Sequence, residues 1–355
     1  MFKDMQIAAG TSFVLSVLIT PIVIALCKKY SWYDEVDPRK VHKGAIPRLG
    51  GLSVFLAFIV STALYIFKFA SEDYFFALPI FAGGLIIFLA GVIDDFLNLR
   101  AKLKFVIQII AALIVSLSPL YFHKFLGFDI NPIAGRVFTF LWILGLVNAY
   151  NLIDGLDWLC GGLSFLTLMT MAIILTSYGK DAGNIYFILG AAVAGFLVFN
   201  RPPAKIFLGD GGSQTLGYFI AVSPLFNSFG MFEDTKIVVM VLLTSIPVTD
   251  VIAAVWRRKR DHRKIFSADR AHIHHKLINI GFSKTVTVGF LLILQLLICF
   301  SSFGIIFMRN KKSAVVLLFV ALSFVYLFFI TIHYINRAVN IKMQGHLDAA
   351  PQEEH

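Results

Sequence analysis

Apolar runs about as long as a membrane span recur along the whole chain and constrain its fold more than any other feature. A helix needs about 20 apolar residues to cross the hydrocarbon core of a bilayer. Because lipid offers the backbone no hydrogen-bond partners, such runs must be helical. Eleven runs are bounded by Lys, Arg, Gly, Pro and Asn clusters, at 7–27, 49–67, 75–93, 103–122, 133–150, 159–177, 185–199, 213–229, 236–256, 285–308 and 313–335. The sequence therefore predicts an all-α, polytopic membrane protein of about eleven transmembrane helices.

Composition excludes the other classes to which a chain of 355 residues could belong. Hydrophobic residues make up 58% and charged residues 15%, whereas an average soluble domain is about 25% charged. A soluble globular domain and a disordered chain are thereby ruled out. In a soluble protein the net charge of +10 would suggest nucleic acid. Here it indicates loops against an anionic membrane face or an anionic substrate, and no nucleic-acid partner is expected.

The basic residues predict how the chain is oriented. Of the 31 Lys and Arg residues, 22 follow odd-numbered runs or lie near the C-terminus. Because Lys and Arg are retained in cytoplasmic loops, the N-terminus is expected outside and the C-terminus in the cytoplasm. Residues 1–341 are predicted to form a single transmembrane domain, and 342–355 a polar tail. The first run is expected to be a retained helix, since it lacks a small-residue cleavage site.

Acidic, amide and histidine side chains cluster on the predicted cytoplasmic face. They fall in or beside five cytoplasmic segments, at 28–48, 94–104, 148–160, 200–213 and 257–284, and Asp250 lies within the ninth run. Such a one-sided cluster, ringed by Lys and Arg, predicts a site at the inner membrane surface. A secondary transporter is the alternative from another class, but its site should lie near mid-bilayer.

Paired carboxylates, Asp94 and Asp95, end the third run. An ionised Asp at the bilayer centre costs about 2.5–3.5 kcal/mol on insertion scales, so two of them require water, a cation or a partner. Adjacent helical residues point about 100° apart. This favours one carboxylate near a metal and one free as a base. Alternatively, the pair simply marks the end of the helix.

Polar residues spaced by three end the fifth run: Asn148, Asn151 and Asp154, with Asp157 after Gly155. The first three lie along one slowly drifting stripe of a helix. Two amides and a carboxylate could coordinate a hard cation, or hydrogen-bond a sugar or a base. Polar contacts between membrane helices are the alternative.

Glycines flank Asp210 in the stretch 207–213, which reads Phe-Leu-Gly-Asp-Gly-Gly-Ser. They would let the backbone approach a phosphate while the carboxylate takes a magnesium ion. The stretch lacks the lysine of a P-loop. An ordinary turn between two helices explains it equally well.

Two basic segments complete the set. Nine Lys and Arg residues in 257–284 would attract a nucleotide diphosphate, and His272, His274 and His275 fit as donors to phosphate or uracil. No cysteine lies nearby, so a zinc site is disfavoured. In the first loop, His42 and Arg48 could hold a lipid phosphate. Anchoring of the loops by basic residues is the alternative for both segments.

Together, in this order, the five segments resemble the polyprenyl-phosphate N-acetylhexosamine-1-phosphate transferases, glycosyltransferase family 4. The resemblance extends from His42 to His275. His-Ile-His-His at 272–275, after Asp269-Arg270, is similar to the branch that transfers GlcNAc 1-phosphate to undecaprenyl phosphate. Eleven helices also match that branch better than the ten typical of the phospho-MurNAc-pentapeptide translocases. Trp158, His262 and Ala268 depart from residues common in relatives and leave the sugar open.

The resemblance implies a catalytic pair, Asp94 and Asp95, and a magnesium (or manganese) ion held by Asp210 and Asn151. The predicted substrate-binding residues are His42, Arg48, Asn148, Asp154, Asp157, Asp269, Arg270, His272, His274 and His275. The expected reaction transfers GlcNAc 1-phosphate from UDP-GlcNAc to undecaprenyl phosphate, releases UMP and starts a cell-envelope glycan. It would occur at the cytoplasmic face of a bacterial inner membrane. The pentapeptide translocase, another UDP-amino sugar, a covalent aspartyl-phosphate and a homodimer all stay open.

Overall fold

Helices make up nearly all of the computed structural model, which describes residues 2–33, 46–68, 75–125, 128–177, 182–226, 231–264, 271–308 and 310–348. Within these ranges there are thirteen α-helices. They are α1 Phe2–Tyr30, α2 Gly50–Lys68, α3 Leu78–Leu97, α4 Ala101–Ser116, α5 Pro132–Ile153, α6 Leu159–Ser177, α7 Ala182–Asn200, α8 Gly209–Val222, α9 Met231–Leu243, α10 Ser245–Arg260, α11 Ile273–Ile280, α12 Lys284–Phe307 and α13 Lys311–Asp348. Strands β1 (Lys124–Phe125) and β2 (Phe128–Asp129) pair as a short antiparallel hairpin. Apart from this hairpin, the all-α prediction is confirmed.

A helix lies at each of the eleven predicted apolar runs. In the described ranges, eight helices are long and apolar enough to cross a membrane, namely α1, α2, α3 with its preceding 3-10 turn, α5, α6, α7, α12 and α13. α9 and α10 form a ninth if they are one span bent by 71°. α4 and α8 have only 16 and 14 residues. The chain is therefore a membrane protein, and eleven spans with the stated orientation stay a prediction.

The short helix α8 lies at the centre of the bundle. All of its residues except Asp210 are buried, and it packs between α3 and α5, with α2 and α6 beside it. The outermost helix, α13, instead exposes large apolar side chains such as Val316 and Phe319. A helix enclosed by protein need not match the thickness of a bilayer, which explains how 14 residues suffice for α8.

Glycines allow the first turn of α8 to contact α2 and α3 at backbone distance. A Cβ on Gly91 of α3 would collide with backbone atoms of Asp210 and Gly211, and one on Gly51 of α2 with those of Gly212. The first N–H groups of a helix have no partner within it. Those of Gly50 and Gly51 donate to the carbonyl oxygens of Phe207 and Leu208 at 2.9 and 2.8 Å. The segment before α8 thus fixes the start of α2.

Candidate active site

Three aspartates from two distant segments meet where α3 ends and α8 begins. Asp95 accepts hydrogen bonds from the backbone N–H groups of Asp210 and Gly211, at 2.8 and 2.9 Å, one to each carboxylate oxygen. A carboxylate at a helix N-terminus satisfies free N–H groups and interacts favourably with the helix dipole. Gly209, at φ +75°, provides the left-handed turn that leads into α8. Asp95 is therefore committed to anchoring α8 beside α3.

Lys104, in the first turn of α4, joins the other two acids. Its Nζ pairs with Asp94 Oδ2 and lies 3.1 Å from Asp210 Oδ2. The second oxygen of Asp94 accepts the N–H of Leu99 at 2.7 Å. Arg48, just before α2, lies 3.6 Å from Asp210 Oδ1 and 3.9 Å from Asp95 Oδ1. Lys104 and Arg48 thus neutralise part of the charge of three largely buried acids.

The Asp210 carboxyl is surrounded by donors. Besides the Lys104 contact, its Oδ2 accepts hydrogen bonds from Gln214 Nε2 at 3.2 Å and from Asn151 Nδ2 at 3.4 Å. Burial alone would raise the pKa of the Asp210 carboxyl. A hydrogen bond shared with Asp94 and the charges of Lys104 and Arg48 outweigh burial, so the pKa lies below its ordinary value. Asp210 is therefore an ionised carboxylate whose oxygens could ligate a cation.

The chemistry of these donors suits a hard divalent cation. The Lys104 ammonium already places a positive charge between two carboxylates. Magnesium is usually held by one or two carboxylates together with waters and substrate phosphates. Within the described ranges, no three Asp, Glu, His or Cys side chains are arranged around one point as metal ligands, so few protein groups would hold the ion. Asn151 contacts Asp210 through its amide nitrogen, and ligating a cation requires its oxygen.

The stripe at the end of α5 divides between the bundle and the site. Asn148 donates from Nδ2 to Gln108 Oε1 and to the Leu144 carbonyl, both at 2.8 Å, so its contacts are of the interhelical kind. Asp154 follows the last residue of α5. Burial, with the carboxylates of Asp210 and Asp95, raises the pKa of Asp154 to about 8. Asp154 therefore belongs electrostatically to the aspartate cluster.

Asp157 and its neighbour tie the turn after α5 to the end of α7. Asp157 Oδ2 accepts the N–H of Ala204 at 3.0 Å, and Asn200 Oδ1 accepts the N–H of Trp158 at 2.8 Å. Trp158 has a φ of 70°, a conformation that glycine adopts at no steric cost. Its indole donates to the Leu197 carbonyl at 2.9 Å, which compensates for part of this strain.

The histidine segment reaches the α5 turn from the other side. His274 is buried, and within the described part of the chain neither of its ring nitrogens has a hydrogen-bond partner. Its Nε2 lies against Gly155, where a Cβ would collide with it. Burial, followed by the neighbouring His275, lowers the pKa of His274 to about 3. His274 is therefore a neutral, buried ring whose two nitrogens are unpaired among the described residues, packed against the turn that contains Gly155. His42, Asp269 and Arg270 lie outside the described residues.

Asp250 of α10 supports this segment. Its Oδ2 lies 2.7 Å from His272 Nδ1, and its Oδ1 accepts the N–H of Ile273, the first residue of α11, at 2.9 Å. Both side chains are buried. Asp250 was expected only as a member of the polar cluster on the cytoplasmic face, and Lys104, Gln108 and Gln214 were not predicted as site residues. A polar residue inside an apolar run was the available signal.

The fold and the site together define a helical membrane enzyme with an aspartate-rich centre at one end of its bundle. The model of glycosyl transferase family 4 matches residues 77–227. A probable undecaprenyl-phosphate N-acetylglucosaminyl 1-phosphate transferase of Bacillus subtilis (strain 168) is 34% identical, covering 94% of this chain and 93% of its own. Undecaprenyl-phosphate alpha-N-acetylglucosaminyl 1-phosphate transferases of Thermotoga maritima and Escherichia coli K12 are 29% and 28% identical, covering 86% and 77% of this chain and 94% and 76% of their own. The chain belongs to glycosyl transferase family 4 and is a transferase.

Proposed function

We propose that the protein transfers GlcNAc 1-phosphate from UDP-GlcNAc to undecaprenyl phosphate and releases UMP. The observation that carries this proposal is the meeting of Asp94, Asp95 and Asp210 with Lys104 and Arg48 at one end of the bundle. Acids that can hold a divalent cation, beside cations that can hold phosphate, are what transfer between two anionic substrates requires. The names of the relatives support the sugar and the lipid.

The basic loops support a site facing the cytoplasm of a bacterial plasma membrane, where a soluble nucleotide sugar and the phosphate of a membrane lipid can meet. The product would start the synthesis of a cell-envelope glycan. Asp210, with Asn151 turned to present its amide oxygen, would hold magnesium, which manganese could replace. The ion would supply positive charge to the diphosphate and the departing UMP.

The side chains divide the remaining work. Arg48 and Lys104 are placed to neutralise and orient the diphosphate. Asp95 is occupied by two backbone N–H groups of α8, so Asp94 is the better base once the proton that it shares with Asp210 has left and Lys104 has turned to the substrate. It would take the proton of the lipid phosphate, whose second pKa is about 6. The freed phosphate oxygen then bonds to the phosphorus that carries the sugar, and the bond from that phosphorus to UMP breaks.

The test is UMP release by the purified protein in detergent, with undecaprenyl phosphate and a panel of UDP-sugars. We expect release with UDP-GlcNAc, loss in EDTA and recovery with magnesium. Asp210→Asn should lower the rate by about 100-fold or more. Asp129→Asn, in β2 beyond the other end of α4, should not.

Each alternative has its own outcome in this design. Release with UDP-MurNAc-pentapeptide or another UDP-amino sugar alone would replace the proposed donor. Uptake of substrate by proteoliposomes without UMP release would indicate a transporter. Radiolabelled phospho-enzyme trapped without the lipid would reject direct attack in favour of a covalent aspartyl-phosphate. Full turnover by Asp210→Asn would refute the proposed site.

A further inference from the structure

A chain of buried amides runs from α5 through α4 to α8 and ends on Asp210. Asn148 Nδ2 donates to Gln108 Oε1 at 2.8 Å, Gln108 Nε2 to Gln214 Oε1 at 3.0 Å, and Gln214 Nε2 to Asp210 Oδ2 at 3.2 Å. Gln108 and Gln214 are each 3% exposed. Buried amides destabilise a bundle unless they are hydrogen-bonded, so the links hold one another in place.

The direction of the chain is set at both of its ends. The Leu144 carbonyl, which Asn148 Nδ2 also contacts at 2.8 Å, can only accept a hydrogen bond. At the other end, an ionised Asp210 can only accept as well. If the amide oxygen and nitrogen of Gln108 or Gln214 were exchanged, an acceptor would face an acceptor on one side and a donor would face a donor on the other. All the donors therefore point towards Asp210.

The same register joins α4 to α8 twice. Lys104 and Gln108 are one turn apart on α4, and Asp210 and Gln214 are one turn apart on α8. Lys104 thus contacts Asp210 while Gln108 contacts Gln214. Lys104 donates to Asp210 Oδ2 directly, and Gln108 orients Gln214, which donates to the same oxygen. The other oxygen, Oδ1, lies 3.6 Å from Arg48.

We infer that Gln108 and Gln214 are positioning residues for Asp210. They hold Oδ2 within the protein network and so present Oδ1 to the cation and the diphosphate. The inference rests on the proposed function, in which Asp210 is a metal ligand. Among the described contacts, Gln108 reaches Asp210 through Gln214. Replacing either amide with an apolar side chain should leave the carboxylate held by Lys104 and Asn151 but less constrained in rotation, which weakens cation binding without abolishing it.

The experiment measures cation binding directly, by the electron paramagnetic resonance signal of free Mn²⁺ titrated with the full-length protein in detergent. We expect Gln108→Leu and Gln214→Leu each to raise the Kd for Mn²⁺ about tenfold, equivalent to about 1.4 kcal/mol. Because the amides act as one chain, the double variant should lose little more than either single variant. In turnover, the magnesium concentration for half-maximal UMP release should rise, with kcat recovered at saturating magnesium.

Gln295→Leu is the matched control. Gln295 of α12 is also fully buried, and it is hydrogen-bonded to Thr167 of α6 and the Leu243 carbonyl of α9. It should lose stability but keep the wild-type Kd. If Gln108→Leu does not fold, Gln108→Asn keeps an amide but shortens its reach, and should weaken Mn²⁺ binding similarly.

Failure of the inference and failure of the proposed function give different results. Wild-type Kd values in the folded glutamine variants, with binding lost in Asp210→Asn, would overturn the positioning role alone. A wild-type protein that binds no Mn²⁺, or an Asp210→Asn variant that binds it normally, would instead remove the metal site on which the inference rests.

Discussion

Replacing Lys104 tests how the aspartate cluster is compensated before a divalent cation binds. The ammonium pairs with Asp94 and lies 3.1 Å from Asp210 Oδ2. Asp94 is 4% exposed, and the side chains of Asp210 and Lys104 are 13% and 28% exposed. Lys104→Met keeps the apolar stem and removes only the charge and its hydrogen bonds. The buried acids would then face one another with Arg48 as their remaining cation among the described contacts.

The expected loss follows from the geometry. At an effective dielectric constant of about 20, unit charges separated by the 3.1 Å between Lys104 and Asp210 attract by about 5 kcal/mol. Desolvation and partial exposure of the lysine offset most of this. Hydrogen bonds to charged groups contribute a net 1.5–3 kcal/mol or so. We therefore expect the metal-free variant to lose about 2 kcal/mol of stability.

The assay is unfolding of the purified protein in detergent, with EDTA and then with magnesium. Lys104→Met should unfold at lower denaturant concentration in EDTA, while Lys104→Arg stays near wild type. Magnesium should narrow the difference, because an ion bound at the acids replaces the lost charge and stabilises the folded state. Lys102→Met, exposed in the same helical turn, is the control. Equal stability of Lys104→Met and wild type in EDTA would refute the reasoning.

Three further predictions concern helix contact, pH and the histidine segment. Gly91→Ala, whose Cβ would collide with the backbone of α8, should lower stability by about 1–3 kcal/mol. A Cβ on Gly145 meets nothing within 4 Å, so Gly145→Ala should not lower stability. The pKa of Asp154 is raised from 3.8 to about 8 in the folded protein, so stability in EDTA should fall as pH rises through that window, and less in Asp154→Asn. Asp250→Asn should weaken the buried hydrogen bonds that hold His272 and the start of α11. Because this segment is proposed to contact the nucleotide sugar, the KM for UDP-GlcNAc should rise about tenfold. The exposed Asp261→Asn should leave the KM unchanged.

The secondary structure was predictable because length and apolarity suffice to indicate a membrane helix. Each predicted run contains a helix, including the runs at 185–199 and 213–229. The lengths of α4 and α8 were not predictable, since enclosure by neighbouring helices depends on the tertiary arrangement. The meeting of Asp94 and Asp210 was expected, because both residues lie at helix ends on the same predicted face.

The contacts of the individual side chains could not be predicted from the sequence. Three residues advance a helix by about 300°, so the stripe on α5 drifts by about 60° per step. Asn148 and Asp154 consequently point about 120° apart, and Asn148 contacts α4 while Asp154 adjoins the aspartates. Lys104 was expected only as one basic residue among many, because the contact that joins it to Asp210 spans 106 positions. Nothing in the spacing identifies α8 as the helix that Asp95 caps.

The hydrogen-bonding needs of helix ends explain why segments so distant along the chain share one site. The first N–H groups of α8 have no partner within the helix, and Asp95 of α3 accepts two of them. The carbonyls just before α8 accept the first N–H groups of α2, and this brings Arg48 close to Asp210. These contacts require glycine at both surfaces, at Gly51 and Gly91 against the first turn of α8. The same backbone requirements that fix α8 in the bundle thus place the carboxylates and cations together.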